Sequence, residues 1–282
     1  MGGCNNPGVT AGVGSTEKLE AARRSLERDG YIVFDPGIPE GTLDATIERI
    51  GPEFRPEGAA GRFLRRAKRA VRGRHTAISH RDKVRLQDAW VISESVKEIA
   101  RAPRVMEFLR AVYGREPLPF QTLNFKVGSQ QRPHADAWHF NSEPSGFMCG
   151  IWVALEDIHE DCGPLIYYPA SHKLPEVTKA DMLARRRAAD GPDANIPVAT
   201  VYVRFVQSLI EREKLEPHYA TLRKGEALLW SSNLIHGGAP QSNPAGTRWT
   251  QVTHYYFEGC RYWKPMYSGQ GERQYWEPTW VR

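Results

Sequence analysis

Two potential metal ligands, His134 and Asp136, stand on either side of Ala135 near the middle of the chain. Because successive side chains of a β-strand point to opposite faces, an extended backbone would direct both groups to the same side. An imidazole and a carboxylate placed in this way are two of the three protein ligands of a non-haem iron(II) site, where the other metal positions stay open. Two polar residues at this spacing also occur often by chance, so the motif needs a third ligand elsewhere in the chain.

A third ligand and an anion-binding group are predicted toward the end of the chain. His236 follows an apolar run and precedes Gly237 and Gly238, which allow a neighbouring backbone to approach closely. Arg248 and Thr250 share one face of a predicted strand, and a guanidinium beside a hydroxyl suits a carboxylate. Taken alone, each is more often an ordinary strand-end histidine or surface arginine. Together they predict an iron(II) site that also holds a chelating dicarboxylate.

The hydrophobic pattern changes from helical to strand-like along the chain. Apolar residues at helical spacing predict helices over residues 16–29, 39–50 and 95–114, with a strand over 31–34. Short runs rich in β-branched and aromatic residues follow, separated by turn residues. These runs predict strands over 119–127, 148–155, 165–168, 227–230 and 250–257. Helices over 179–189 and 201–214 interrupt them.

This order of elements predicts an α+β fold. Its core would be a double-stranded β-helix, which is a jelly-roll, cupin-like barrel, flanked by the N-terminal helices. Residues 176–215 would form a helical insertion or lid on the barrel. We predict a single domain over residues 1–282, with residues 1–15 disordered.

Composition and charge narrow the choice of partners and location. The formal net charge of +5 suits an anionic substrate or cosubstrate, and no nucleic-acid-binding module accompanies it. No apolar run approaches the ~20 residues of a membrane-spanning helix. Four scattered cysteines without a C-x-x-C pair predict a reducing compartment. We therefore predict a cytoplasmic monomer or homodimer that acts on a small molecule.

Two segments of unusual composition leave alternatives open. Residues 61–85 are rich in arginine and lysine, and they would form either a solvated face or a docking surface for a phosphate- or carboxylate-bearing substrate. Six aromatic residues in the tail would either cover the barrel mouth or form a dimer contact. They are Tyr262, Trp263, Tyr267, Tyr275, Trp276 and Trp280.

Aromatic and histidine residues near the motif are weaker candidates for the site. Trp138, His139 and Phe140 directly follow the metal motif, so they would either line a substrate pocket or pack in the core. Four further histidines are predicted to have structural roles. They are His159, His172, His218 and His254.

The combined pattern resembles the phytanoyl-CoA dioxygenase family of iron(II)- and 2-oxoglutarate-dependent oxygenases. The resemblance covers roughly residues 28–258 and is strongest at 131–136, 150–157, 163–165, 169–173 and 236–248. It implies that iron binds to His134, Asp136 and His236 and that Arg248 pairs with the distal carboxylate of 2-oxoglutarate. It also implies that the cosubstrate contacts Gln131, Ser171 and Thr250.

The implied reaction consumes O2 and 2-oxoglutarate, releases succinate and CO2, and oxidises a C–H bond of a small-molecule metabolite. Hydroxylation is the predicted outcome. Halogenating relatives replace the ligand carboxylate by a small residue, and Asp136 is present here. Desaturation, epimerisation and ring closure use the same ligands and stay open as alternatives. Halogenation on the same barrel and a non-catalytic jelly-roll binding module also stay open.

Overall fold

The computed structural model describes residues 16–54, 85–188 and 195–282. The predicted disordered start, residues 1–15, lies outside this part, as does all of the basic stretch 61–85 except Arg85. Within it, helices pack against antiparallel sheets, as expected of the predicted α+β class. None of the described helices is both long enough and apolar enough to cross a membrane.

Six α-helices lie in the described residues. They are α1 (Thr16–Asp29), α2 (Glu40–Ile50), α3 (Glu94–Ala100), α4 (Pro103–Tyr113), α5 (Lys179–Ala188) and α6 (Val198–Arg212). The prediction of one continuous helix over 95–114 is wrong, because the chain leaves the helical conformation at Ala102. Pro103 disfavours a helical backbone in the residue before it and is tolerated in a first helical turn, so α4 begins there.

The described strands form three antiparallel sheets. The strands are β1 (Tyr31–Phe34), β2 (Arg85–Gln87), β3 (Pro117–Phe125), β4 (Asn141–Glu143), β5 (Met148–Ala154), β6 (Leu165–Tyr167), β7 (His218–Ala220), β8 (Ala227–Ser231), β9 (His236–Gly238), β10 (Thr250–Phe257) and β11 (Arg261–Trp263). A six-stranded sheet has the order β1-β8-β5-β10-β3-β2, a three-stranded sheet has the order β7-β6-β9, and β11 pairs with β4. The longer strands agree with the prediction, whereas β2, β4, β7 and β11 are too short for an alternating pattern to show.

The central strand β5 is buried on both faces, and its two faces meet different layers. Ile151 and Val153 pack with Leu43 of α2. Trp152 lies on the opposite face and packs with Leu165 of β6. The helices thus cover one face of the six-stranded sheet, and the three-stranded sheet lies against the other. The candidate site lies between these two sheets.

The predicted insertion packs beside the metal motif. Tyr202 of α6 stacks on Trp138, with ring centroids 4.3 Å apart and an interplanar angle of 9°. Its hydroxyl accepts a hydrogen bond from the backbone N–H of Ala135 at 2.9 Å. Helix α6 therefore fixes the backbone between the two residues of the motif.

The close approach of β5 and β8 gives a stability prediction. A Cβ atom on Gly150 would lie 2.4 Å from the ring of Trp230. We expect Gly150→Ala to lower the free energy of unfolding by about 1–3 kcal/mol, because the ring must shift within a packed core. Gly41 in α2 has open space around it, so Gly41→Ala should raise the same quantity by roughly 0.5–1 kcal/mol. Urea unfolding of both variants tests this difference in sign.

Candidate metal centre and its cavity

A backbone bridge brings the two distant histidines together. The N–H of His134 donates to the carbonyl of His236 at 2.9 Å, and the N–H of His236 donates back at 2.8 Å. Their ring centroids are consequently 4.5 Å apart. The bridge needs the predicted glycine, since a Cβ on Gly237 would lie 2.6 Å from the carbonyl oxygen of Gln131.

The prediction that the whole motif lies on an extended strand is wrong. His134 is paired in the bridge and Ala135 is extended, but Asp136 begins a short 3-10 turn that ends at Trp138. The chain leaves the sheet because the N–H of Ala137 donates to the carbonyl of Ser232 at 2.8 Å. The turn begins after Ala135, so the carboxylate still points to the side of the imidazoles.

The three side chains form a compact set of donors that could hold one metal ion. One donor atom each from His134, Asp136 and His236 lies within 4.8 Å of the other two. The Oδ1 atom of Asp136 is 3.9 Å from the Nε2 of His134 and 3.8 Å from the Nε2 of His236. This donor set of two imidazoles and one carboxylate fits iron(II).

Hydrogen bonds set which imidazole nitrogen faces the centre. Nδ1 of His134 lies 3.0 Å from the carbonyl of Arg132, and Nδ1 of His236 lies 3.0 Å from the carbonyl of Leu234. A carbonyl can only accept, so Nδ1 carries the proton and Nε2 keeps its lone pair for a metal. Burial, aided by the neighbouring imidazole of His236, lowers the pKa of His134 to about 3, so the His134 imidazole is neutral at neutral pH.

The second oxygen of Asp136 is occupied by donors from two strands. The indole N–H of Trp230 donates to Oδ2 at 2.7 Å, and Nε2 of His254 lies 3.3 Å from the same atom. Burial opposes ionisation of this carboxyl, but the imidazoles of His236 and His254 hold its pKa below the ordinary value. The carboxylate is therefore ionised, and Oδ1 is the oxygen left to face the histidines.

The donors line a cavity of about 230 Å³. It also receives Arg248, which is 2% exposed and whose guanidinium carbon lies 5.5 Å from the Trp152 ring. Burial lowers the pKa of Arg248 to about 10, so it stays charged at neutral pH. Its Nε and the hydroxyl of Thr250 have no hydrogen-bond partner among the described residues. Buried donors without partners are costly, and a bound carboxylate would satisfy both.

Gln131 and Ser171, the other predicted cosubstrate contacts, differ in their surroundings. Gln131 lines the cavity, with its Nε2 3.3 Å from the Nε2 of His134. Ser171 does not line it. Its hydroxyl donates to the carbonyl of Tyr168 at 2.6 Å and accepts from the N–H of Ile235 at 2.8 Å. The structure thus brings Gln131 to the metal donors and gives Ser171 a role in bracing the turn.

Of the three residues after Ala137, two line the cavity and one does not. His139 and Phe140 line the cavity, whereas Trp138 is buried beneath α6 and packs in the core. The tail supports the first two from behind. Nδ1 of His139 lies 3.1 Å from the sulfur of Met266, and Phe140 stacks on Trp276 with centroids 5.9 Å apart.

His254 corrects one sequence prediction, because it lines the cavity instead of serving only the core. It lies two residues after Val252, which also lines the cavity, so the alternation of side chains along β10 places His254 on the same side of the strand. Trp230 and Gln121, in contrast, have no sequence signal that points to the site. Gln121 faces the site because β3 pairs with β10 in a register that sets Gln121 opposite His254. The Oε1 of Gln121 lies 3.1 Å from the Nδ1 of His254. That register is a tertiary feature.

Comparison with known proteins is consistent with this geometry. The family model described as phytanoyl-CoA dioxygenase matches residues 26–248, which hold all three candidate ligands and Arg248. The chain belongs to this family. The predicted family is thus confirmed, and the set of two histidines and one aspartate fits the predicted iron.

Three similar proteins illustrate the range of this fold. Phytanoyl-CoA dioxygenase domain-containing protein 1 of Danio rerio is 28% identical over 53% of this chain, and the alignment spans about half of that relative, 48%. The carbocyclase SnoK, described as non-heme and alpha-ketoglutarate dependent, is 15% identical with a TM-score of 0.60, covering 96% of this chain and 97% of SnoK. EctD from S. alaskensis, crystallised with 2-oxoglutarate and 5-hydroxyectoine, is 17% identical with a TM-score of 0.60, covering 91% of this chain and 80% of EctD.

The bond from Trp230 to Asp136 predicts an effect on metal affinity. Trp230→Phe keeps the ring but removes the N–H that holds Oδ2, so we expect iron(II) or cobalt(II) to bind about 10- to 100-fold more weakly. Trp249→Phe is the matched control, because Trp249 packs in the helix-side core. Anaerobic metal titration of both variants measures the difference. Equal affinities would remove Trp230 from the centre.

Proposed function

We propose that this protein is an iron(II)- and 2-oxoglutarate-dependent oxygenase that hydroxylates a C–H bond of a small molecule. One observation carries the proposal. The cluster of His134, Asp136 and His236 opens into the same cavity as a buried arginine without a partner for its Nε among the described residues. A metal site beside an unpaired cation suits a dicarboxylate that chelates the metal at one end.

The proposed iron ligands are Nε2 of His134, Oδ1 of Asp136 and Nε2 of His236. When bound, iron(II) and 2-oxoglutarate supply an oxidant derived from O2, while 2-oxoglutarate is converted to succinate and CO2. Arg248 would hold the distal carboxylate, the hydroxyl of Thr250 would be a second donor to it, and Gln131 would lie beside the bound metal. Three protein ligands leave open positions for the cosubstrate and for O2.

The walls of the cavity keep the reaction away from bulk water. Leu123, Phe125 and Val252 provide apolar surface on the six-stranded sheet, and Leu165 provides it on the facing sheet. A low dielectric strengthens the pairing between Arg248 and a carboxylate. His139 and Phe140 form the side on which a substrate C–H group would be positioned.

The finer features of the fold belong to the same proposal. The six-stranded and three-stranded sheets, which face each other around the site, correspond to the two halves of a double-stranded β-helix. Residues 1–282 would form one catalytic domain, with α5 and α6 as its insertion.

The set of proposed metal ligands favours hydroxylation over the other possible reactions. Asp136 fills the third ligand position, which argues against halogenation, and the complete set of donors argues against a binding module without catalysis. The carbocyclase SnoK has a similar fold, so ring closure is the second product to seek. Mass analysis of the product distinguishes them, since hydroxylation adds one oxygen atom and ring closure removes two hydrogens.

Removal of a proposed ligand should abolish turnover. We expect Asp136→Ala and His236→Ala to form no succinate from 2-oxoglutarate, because two ligands do not retain iron in a catalytic geometry. His159→Ala is the matched control, since His159 is exposed and outside the site. Succinate assays with circular dichroism of each variant test this. Wild-type turnover in either ligand variant would reject the metal assignment.

Removal of the arginine that is proposed to hold the carboxylate should weaken binding of the cosubstrate and leave metal binding unchanged. Arg248→Gln should reduce 2-oxoglutarate affinity by roughly 2–3 kcal/mol, or about 30- to 150-fold, because a charge-assisted pair is lost. Arg187→Gln on the surface of α5 controls for the change of charge. The visible charge-transfer band of the anaerobic chelate reports the affinity. If Arg248→Gln binds 2-oxoglutarate normally, Arg248 is not its anchor.

A further inference from the structure

The imidazole of His139 lies between the cavity and the C-terminal tail. His139 lines the cavity, and its ring centroid is 6.1 Å from that of His134, a proposed iron ligand. Its Nδ1 lies 3.1 Å from the sulfur of Met266, which belongs to the short 3-10 turn Pro265–Tyr267 of the tail. The ring therefore connects the tail to the wall on which a substrate would lie.

The surroundings of His139 favour a neutral imidazole. The carboxylate oxygens of Asp136 make their close contacts with three other histidines, and no ion pair joins a carboxylate to His139 within the described residues. Its side chain instead meets a thioether, which carries no charge. Burial lowers the pKa of His139, and the charge of Asp136 opposes this effect only in part.

The sulfur of Met266 determines which nitrogen of His139 carries the proton. A thioether has lone pairs but no hydrogen to donate, so the hydrogen bond requires a proton on Nδ1. A neutral imidazole has a single N–H group, and its other nitrogen is an acceptor. Met266 therefore leaves Nε2 of His139 with a free lone pair.

This lone pair is available to a ligand of the cavity. The sulfur of Met266 is the only hydrogen-bond partner of the His139 side chain in the described part of the chain. Because the bonds at the two nitrogens of an imidazole diverge, a ring whose Nδ1 faces the tail presents Nε2 on the side of the cavity. The wall thus offers an acceptor to a substrate, and a donor on the substrate would satisfy it.

The charges around His139 select an uncharged donor. Arg85 also lines the cavity, and its positive charge contributes to lowering the pKa of His139. Because like charges repel, an ammonium group held at His139 would be disfavoured for the same reason that an imidazolium is. A hydroxyl group donates a hydrogen bond without adding a charge.

We propose that Met266 positions His139 to accept a hydrogen bond from a hydroxyl group of the substrate, so that the enzyme acts on an alcohol. This inference rests on the proposed function. The hydroxyl group would fix the substrate beside the metal donors, and the C–H bonds near it would be the ones placed for oxidation. Specificity would then include rejection of ethers, which leave Nε2 of His139 unpaired.

The first test measures the position of the proton by NMR of the full chain with nitrogen-15 in its histidines. Nitrogen chemical shifts distinguish a protonated ring nitrogen from one with a free lone pair, and the signals lost in His139→Phe identify His139. We expect the proton on Nδ1 in the wild-type protein. Met266→Leu keeps a similar volume without an acceptor, so it should shift the proton toward Nε2.

Met182→Leu is the matched control for this measurement, because Met182 belongs to the same hydrophobic cluster as Met266. It should leave the proton of His139 on Nδ1. A proton on Nε2 in the wild-type protein would overturn the proposal without any variant. An unchanged proton position in Met266→Leu would also overturn it, because Met266 would then not determine the tautomer.

The second test uses the full chain loaded with zinc(II) and N-oxalylglycine, an unreactive analogue that occupies the cosubstrate site. Loading is verified first by calorimetry, and failure at this stage counts against the proposed function, separately from the role of His139. Trifluoroethanol and its methyl ether then serve as a matched pair with and without an O–H group, followed by the width of their fluorine NMR lines. We expect saturable broadening for the alcohol only. Equal behaviour of the two probes would contradict the proposal.

Competitors and variants locate the binding. Ethanol should displace trifluoroethanol at a lower concentration than ethylammonium does, and the reverse order would reject an uncharged donor. His139→Phe should weaken trifluoroethanol binding about tenfold and Met266→Leu about threefold, whereas Met182→Leu should leave it unchanged. The affinity for 2-oxoglutarate should be unchanged in all three variants. A loss of about tenfold in His139→Phe would assign His139 to the cosubstrate and refute its proposed role.

Discussion

The site depends on two backbone hydrogen bonds that join His134 to His236. They connect segments that are far apart in the sequence, and they fix the relative position of the two imidazoles through the backbone. Each imidazole also has its Nδ1 beside the carbonyl two residues earlier, so ring orientation follows from local backbone geometry. Preorganisation of this kind lowers the entropy that a metal must remove on binding.

Features with a local cause could be predicted from the sequence, whereas features that depend on tertiary contacts could not. The sequence pointed to three residues that the structure brings together, because their types and spacing are those of a metal site. Long strands such as β5 and β10 could be predicted because they have enough residues to show periodicity. The break at Ala102 follows from Pro103, because a proline disfavours a helical backbone in the residue before it. The turn at Asp136 could not be predicted, because it depends on a hydrogen bond to Ser232.

Residues that reach the site only through the register of strand pairing could not be predicted from the sequence either. Trp230 meets Asp136 because β8 lies beside β5, and Gly150 has no side chain to displace the indole. Arg85 belongs to a three-residue strand whose pairing with β3 alone places it in the cavity. A register shift of one residue would turn Arg85 away from the cavity, so its position depends on tertiary contacts.

The tail has a consequence for how such an enzyme can change. Met266 and Trp276 contact His139 and Phe140 from behind, and both follow the matched family region, which ends at residue 248. The proposed metal ligands lie within the matched region, and the support for the proposed substrate wall lies after it. Mutation of the tail can therefore reshape the wall while the proposed iron ligands stay intact. Substrate range and oxidative chemistry can evolve along separate routes.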